Sequence, residues 1–274
     1  MILHRNRLER SFLKTIFIIQ SLSKMKKKLI ITIFWLAVWE IASRCINNQI
    51  LIAGPWDTVK ALYEMSKEKD FYLSLKNSFV NISLGIILGC AAGVILASLS
   101  AGVSLVGEVL SPFIKVIKAI PVASFVVMML LWFGNKKLSL VIAALITMPI
   151  FYLSFLEGIR SVDKKMLEMA DVFKMGRISR IRYIYLPSLR PVVFSSASLA
   201  IGMGWRSGAA AEVIGQPLKT MGNGLYRAKI FLETDRLFAW TFMIILVSVL
   251  SEKAFRLLAG LLYGNNGKKS DKKI

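Results

Sequence analysis

The chain has 274 residues, 55% of them hydrophobic and 19% charged, with a formal net charge of +20. Long uncharged runs at that apolar content exclude an ordinary soluble domain and predict an all-α, polytopic membrane protein. The basic excess lies in loops and tails, where membrane topology puts it, so it gives no reason to invoke nucleic acid.

Side-chain chemistry narrows the classes further. The two cysteines, Cys45 and Cys90, both fall in predicted spans and support neither a disulfide framework nor a zinc site. The one histidine, His4, lies in the N-terminal tail, which excludes imidazole catalysis and histidine metal sites.

Residues 1–28 are basic, with an apolar patch at 12–19 too short to span a bilayer. They are expected to form a cytoplasmic tail. An amphipathic surface segment, or an extension upstream of a start at Met25-Lys26-Lys27-Lys28, are the other readings. Residues 29–46 are the first predicted span, in which Glu40 and Arg44 share a helix face and can pair. Residues 47–76 are expected as an outer loop, with Pro55 and Trp56 marking a turn and an interfacial anchor.

The second span covers about 79–99. Gly85, Gly89 and Gly93 recur every four residues and form a smooth ridge that another helix can approach, within the chain rather than across a dimer. Residues 109–133 read as a broken third span, because Pro112 and Pro121 remove backbone donors and Lys115 and Lys118 lie between them. The expected form is a membrane-surface helix, a bend at Pro121 and an apolar helix to Trp132. Broken helices in transporters border the pathway, which makes Pro121 a pathway-lining candidate against the plainer reading of a kink. Residues 134–137 are a tight outer turn, and 138–156 the fourth span.

Residues 158–190 form a large loop holding Lys174, Arg177, Arg180, Arg182 and Arg190, which places it inside the cell. Met166, Ala170, Phe173 and Met175 suit one side of a short helix, and Asp163 is a candidate N-cap. An inside loop that folds into helices suggests a docking surface for a soluble partner. Pro187 and Pro191 set the entry to the fifth span, 192–214, where Gly204 and Gly208 form a second close-packing pair.

Arg206 and Glu212 are the only charges in that span and point about 120° apart, so they are not a simple pair. A cavity-facing Arg206 would attract a sulfonate or carboxylate; pairing with Glu40 or with a partner subunit is the level alternative. Trp205 and Glu212 join Pro121 and Arg206 as possible pathway-lining residues, and Glu212 is expected to reach water at the outer end. Residues 215–236 are an outer segment with a helical run at 225–233. The sixth span begins at 237–251, and 263–274 form a basic cytoplasmic tail. Six spans with both termini inside place 24 Lys and Arg in inner segments and 10 in outer ones, and the reverse orientation would invert that bias.

Glu168, Ala170, Leu186 and Pro187, preceded by Gly158-Ile159-Arg160-Ser161-Val162-Asp163, resemble the EAA loop of bacterial ABC-importer permeases of the nitrate, sulfonate and taurine type. Ala119-Ile120-Pro121, Leu131-Trp132-Phe133-Gly134, Gly204-Trp205 and Ala211-Glu212 extend the likeness over about residues 51–258. That family usually has a glycine six residues after the glutamate; here that position is Lys174, and the nearest glycine is Gly176. The resemblance implies a permease domain over about 29–262 and a coupling loop carried by Glu168, Ala170, Asp171, Phe173, Lys174, Met175, Gly176 and Pro187, with Phe173 and Met175 as apolar contacts. It also implies a bacterial inner membrane, a second permease copy, ATPase subunits that hold ATP and Mg, and an external solute-binding protein.

The sequence itself contains no GxxxxGK[ST] phosphate loop, no TVGYG filter and no evident hydrolytic or metal cluster. If transport is energised, the energy should enter from another polypeptide through the inner loop. The alternative is a self-sufficient carrier or channel using Arg206, Glu212 and Glu40; a membrane enzyme ranks last.

Overall fold

The computed structural model describes residues 27, 29–46 and 51–267, with side chains to Leu257. The N-terminal tail expected at 1–28 lies outside the described residues except for Lys27, as does the C-terminal tail beyond 267.

Three helices make the centre: α3 (Lys69–Gly102), α6 (Leu138–Arg160) and α9 (Leu186–Gly215). The α3 ridge explains their closeness. A Cβ at Gly85 would lie 2.3 Å from Leu140 O, at Gly89 2.4 Å from Ala144 O, and at Gly93 2.6 Å from Met148 O. Both numbers climb together, so α3 and α6 run parallel, backbone against backbone. Helix α9 runs the opposite way: Gly204 meets Ile86 and Thr147, Gly208 meets Ile82, and Gly215 meets Leu138. Ile82, Ile86, Ala143, Ile201 and Trp205 fill the space between them.

The remaining elements wrap this trio. Helix α1 (Leu29–Ile46) is exposed along its apolar window. It attaches at its outer end, where Trp39 Nε1 donates to Ala53 O at 3.0 Å and the Trp39 ring lies 5.7 Å from that of Phe238. Glu40 and Arg44 pair at 2.7 Å. The outer loop that follows is not a plain loop, because Pro55–Met65 forms helix α2. Pro55 opens it, where a missing N–H costs nothing, and Thr58, Ala61 and Met65 form its buried side.

Helices α4 (Ser104–Ala119) and α5 (Val122–Phe133) are bent by 107° at Ile120-Pro121. Pro121 forces Ile120 out of the helical region, to φ −72°, ψ 129°. Among the described residues five helices are long and apolar enough to cross a membrane, and six crossings result if this bent pair counts as one. Helix α10 (Met221–Ile230) begins earlier than the run expected at 225–233, capped by Thr220, whose hydroxyl accepts from Asn223 N at 3.2 Å. Helix α11 (Thr234–Gly267) closes the bundle.

Candidate functional site: the elbow, the Arg206 face and the outer knot

The elbow between α6 and α9 is folded throughout. Asp163 caps α7 (Lys164–Val172) by accepting from Lys165 N at 2.9 Å. At the other end Lys174 N–H donates to Asp171 O at 3.0 Å and Met175 N–H to Ala170 O at 2.9 Å. These are the two bonds of a Schellman cap, which places the residue after the helix in the left-handed region. That residue is Lys174, at φ +50°. The turn therefore falls where the family places its glycine, although lysine occupies it. Gly176, at φ −64°, is instead the N-cap of the single-turn helix α8 (Arg177–Arg180).

Arg180 holds the two pieces together. Its Nε donates to Met175 O at 3.0 Å, and its guanidinium pairs with Asp171. Sequence reasoning assigned Arg180 only to the basic island. Its nine-residue separation from Asp171 resembles no single-helix spacing, so the contact exists only once the turn has formed.

Burial sorts the elbow's apolar residues. Ala170, fully buried, packs with Val162 and Ile184, and Leu167 and Met175 lie against them. Met175, expected as an apolar contact of the loop, is half-buried, because the cap's closing contact draws that position back onto Ala170. Phe173 stays outside at 72% exposure, joined by Val172 at 79% and Ile178 at 82%. Glu168 is exposed too.

Pro187 does not interrupt the chain's entry into the fifth span. Ile181–Tyr185 forms a π-helical turn between α8 and α9, and Leu186 N–H reaches back to Ile181 O. A π turn shifts the bonding register by one residue and so accommodates a proline that would otherwise clash one turn back. The helical path is continuous from Arg177 to Gly215.

Glu212, expected to reach water, is fully buried. Its Oε2 accepts from Ser78 Oγ of α3 at 2.6 Å and from Gly222 N–H of α10 at 3.2 Å. Ser78 Oγ in turn accepts from Met221 N–H at 2.8 Å. Ser139 of α6 is buried beside this group; among the described residues neither its Oγ nor Glu212 Oε1 has a hydrogen bond of good geometry. Three core helices and α10 thus meet in one polar knot. Trp205 is likewise buried, 5.9 Å from the Phe79 ring, so neither residue lines an open face.

Arg206 lies on the opposite side. It is exposed, its Nε donates to Gly202 O at 3.0 Å, and one terminal nitrogen lies 3.7 Å from Met203 Sδ. Among the described residues it forms no ion pair; Glu40, one expected partner, is taken by Arg44. Pro121 is exposed at the α4–α5 bend. Helix α5 runs beside α9 with Leu130 next to Gly215 and Ala211 packed among Phe125, Val126 and Met129.

On the outer side α10 and α11 face α2 and the start of α3 across a hollow bordered by Phe71, Trp240, Lys219, Arg227 and Arg236. Lys219 pairs with Asp70 at 3.3 Å and Arg236 with Glu68 at 3.1 Å, so this surface is charged but internally balanced. No three His, Cys, Asp or Glu side chains among the described residues come together as a metal site.

A polytopic helical bundle with a broken span and a folded elbow between two of its central helices is a transport protein's architecture. Residues 85–261 match the family described as "Binding-protein-dependent transport system inner membrane component", and the chain belongs to that family. It is the transmembrane subunit of an ABC importer. It is 26% identical to the putative aliphatic sulfonates transport permease protein SsuC of Bacillus subtilis, over 85% of this chain and 84% of that one. It is 23% identical to the taurine transport system permease protein TauC of Escherichia coli, over 80% and 82%. Among solved structures it superposes with TM-score 0.61 on a bacterial ABC transporter involved in import of the acidic polysaccharide alginate. That likeness covers 87% of this chain and 96% of that one at 18% identity, and shows the fold.

Proposed function

We propose that this chain lines half of a translocation pathway, pairs with a second copy, and is driven by a separate ATPase seated on its elbow. The observation that carries this reading is the apolar set Val172, Phe173 and Ile178, exposed around the folded α7–α8 turn, with Glu168 exposed nearby on α7. Exposed apolar side chains grouped on an ordered, basic elbow suit a protein partner better than water. With the elbow inside, both termini are cytoplasmic, in keeping with the excess of lysine and arginine in inner segments. ATP and Mg belong to the ATPase, and the balanced outer surface of α2 and α10 faces a solute-binding protein. The named substrates of the relatives, sulfonates and taurine, favour a sulfonate-type anion as cargo.

Glu168→Lys, or deletion of residues 171–177, should leave the chain inserted in the membrane and abolish association with the ATPase. Co-purification of the ATPase with the deletion variant at the parent level would end this reading. ATP-independent transport by the purified chain alone would replace it with a self-sufficient carrier.

A further inference from the structure

We infer that the exposed face of α9 around Arg206 is a water-lined stretch of the pathway that admits small oxyanions, with the Arg206 guanidinium as the selecting charge. The inference rests on the reading of this chain as half of a translocation pathway.

Depth is the first argument. Gly204, two residues away, packs against Ile86 and Thr147, which lie near the middle of α3 and α6. Arg206 therefore sits near mid-membrane. A permanent charge there is unfavourable against hydrocarbon and belongs in a water-filled cavity or against an opposite charge. This chain supplies no opposite charge among its described residues: Glu40 is held by Arg44, and Glu212 is buried in the outer knot.

Openness is the second argument. Ser195, Leu199, Met203 and Arg206 are all exposed, spaced four, four and three residues apart along one side of α9. A Cβ built on Gly202 would meet nothing within 4 Å except Arg206's own guanidinium. No other described part of the chain fills this side.

Chemistry is the third. Among the described residues only Nε of the guanidinium has a strong acceptor, Gly202 O; the Met203 sulfur is a weak one. Most of the planar donor fork is left for an incoming ligand. That fork matches paired oxygens, as in a sulfonate, nitrate or carboxylate.

The test uses the full chain in lipid nanodiscs, with Cys45→Ala, Cys90→Ala and Met203→Cys. The new thiol is reacted with 2-sulfonatoethyl or 2-(trimethylammonio)ethyl methanethiosulfonate. In each case the thiolate attacks the sulfenyl sulfur, methanesulfinate leaves with the bonding pair, and a mixed disulfide forms. Rates are normalised to those with 2-mercaptoethanol. The anion-to-cation ratio should exceed that of the Arg206→Gln variant by on the order of tenfold, the effect of one unit charge about 6 Å away in a wet site. An unchanged ratio would overturn the inference, because it would mean that Arg206 is neutralised by another chain. No reaction with either reagent would overturn it as well, since the face would then be dry. Leu199→Cys, one turn away on the same side, serves as a second reporter if Met203→Cys does not fold. Association with the ATPase is measured separately, so failure of the selectivity and failure of the permease reading are distinguishable.

Discussion

Lys174 offers a sharp check on the elbow because its backbone conformation and its sequence disagree. At φ +50° a residue with a Cβ is disfavoured by about 1–2 kcal/mol relative to the right-handed helix. Glycine avoids that term but loses more freedom on folding, worth about 0.5–1 kcal/mol. Lys174→Gly should therefore stabilise the closed turn by roughly 0.5–1 kcal/mol, and Lys174→Val, β-branched, should destabilise it by at least about 1 kcal/mol. The amide that reports this is Met175 N–H, bonded to Ala170 O at 2.9 Å, which exchanges only when the turn opens. Hydrogen-exchange mass spectrometry on peptides spanning 167–177 should show roughly two- to fivefold slower exchange for the glycine variant, and faster exchange for the valine variant. Equal or faster exchange in Lys174→Gly would mean that Lys174 does not hold the left-handed position, and the Schellman geometry argued above would be wrong.

Two further predictions concern the bundle. Gly89→Ala would put a Cβ 2.1 Å from Thr147 Oγ1 and 2.4 Å from Ala144 O; backbone cannot step aside, so stability should fall by about 1–3 kcal/mol. Gly102→Ala, which meets nothing within 4 Å, is the matched control, and equal thermal midpoints for the two variants in detergent would refute the close α3–α6 contact. Glu212→Ala strips acceptors from the Ser78 hydroxyl and the Gly222 amide and should cost about 2–4 kcal/mol, with Glu212→Gln, which keeps an oxygen there, losing much less. If both variants unfold at the parent's temperature, the knot does not fasten α10 to the core.

What could be read from the sequence was local. Apolar length gave the spans, Pro121 gave the bend, and glycines at intervals of four gave the ridge on which α6 lies. The errors have non-local causes. Glu212 looked like a span-end carboxylate because nothing nearby in sequence says that α10 returns over it, or that Ser78, 134 residues earlier, donates to it. Helix α2 was hidden by its charges, although Pro55 at its start and Thr58, Ala61 and Met65 on one side were available signals. The turn at Lys174 was obscured because glycine is the expected left-handed residue; here two cap bonds and the half-burial of Met175 fix the register instead.

Pro187 and Pro191 were expected to set the entry to the fifth span, and α9 does begin at Leu186 with Pro187 in its first turn; what they hide is the continuity of the helical path behind them. Taken singly, Pro187 and Pro191 suggest a boundary, and a boundary would separate the elbow from the span mechanically. The π turn at Ile181–Tyr185 removes that boundary by absorbing Pro187, so one helical path of 39 residues runs from Arg177 to Gly215. At 1.5 Å per residue it is about 58 Å long. The elbow's Arg180–Asp171 clasp lies at one end, Arg206 along the shaft and Glu212 at the far end, all fixed to a single element. A displacement imposed on the elbow thus reaches the open face and the outer knot without crossing a loop. The π turn, where the bonding register changes, and Pro191, which has no N–H to donate inside α9, are places on that path where a bend would break no regular α-helical hydrogen bond.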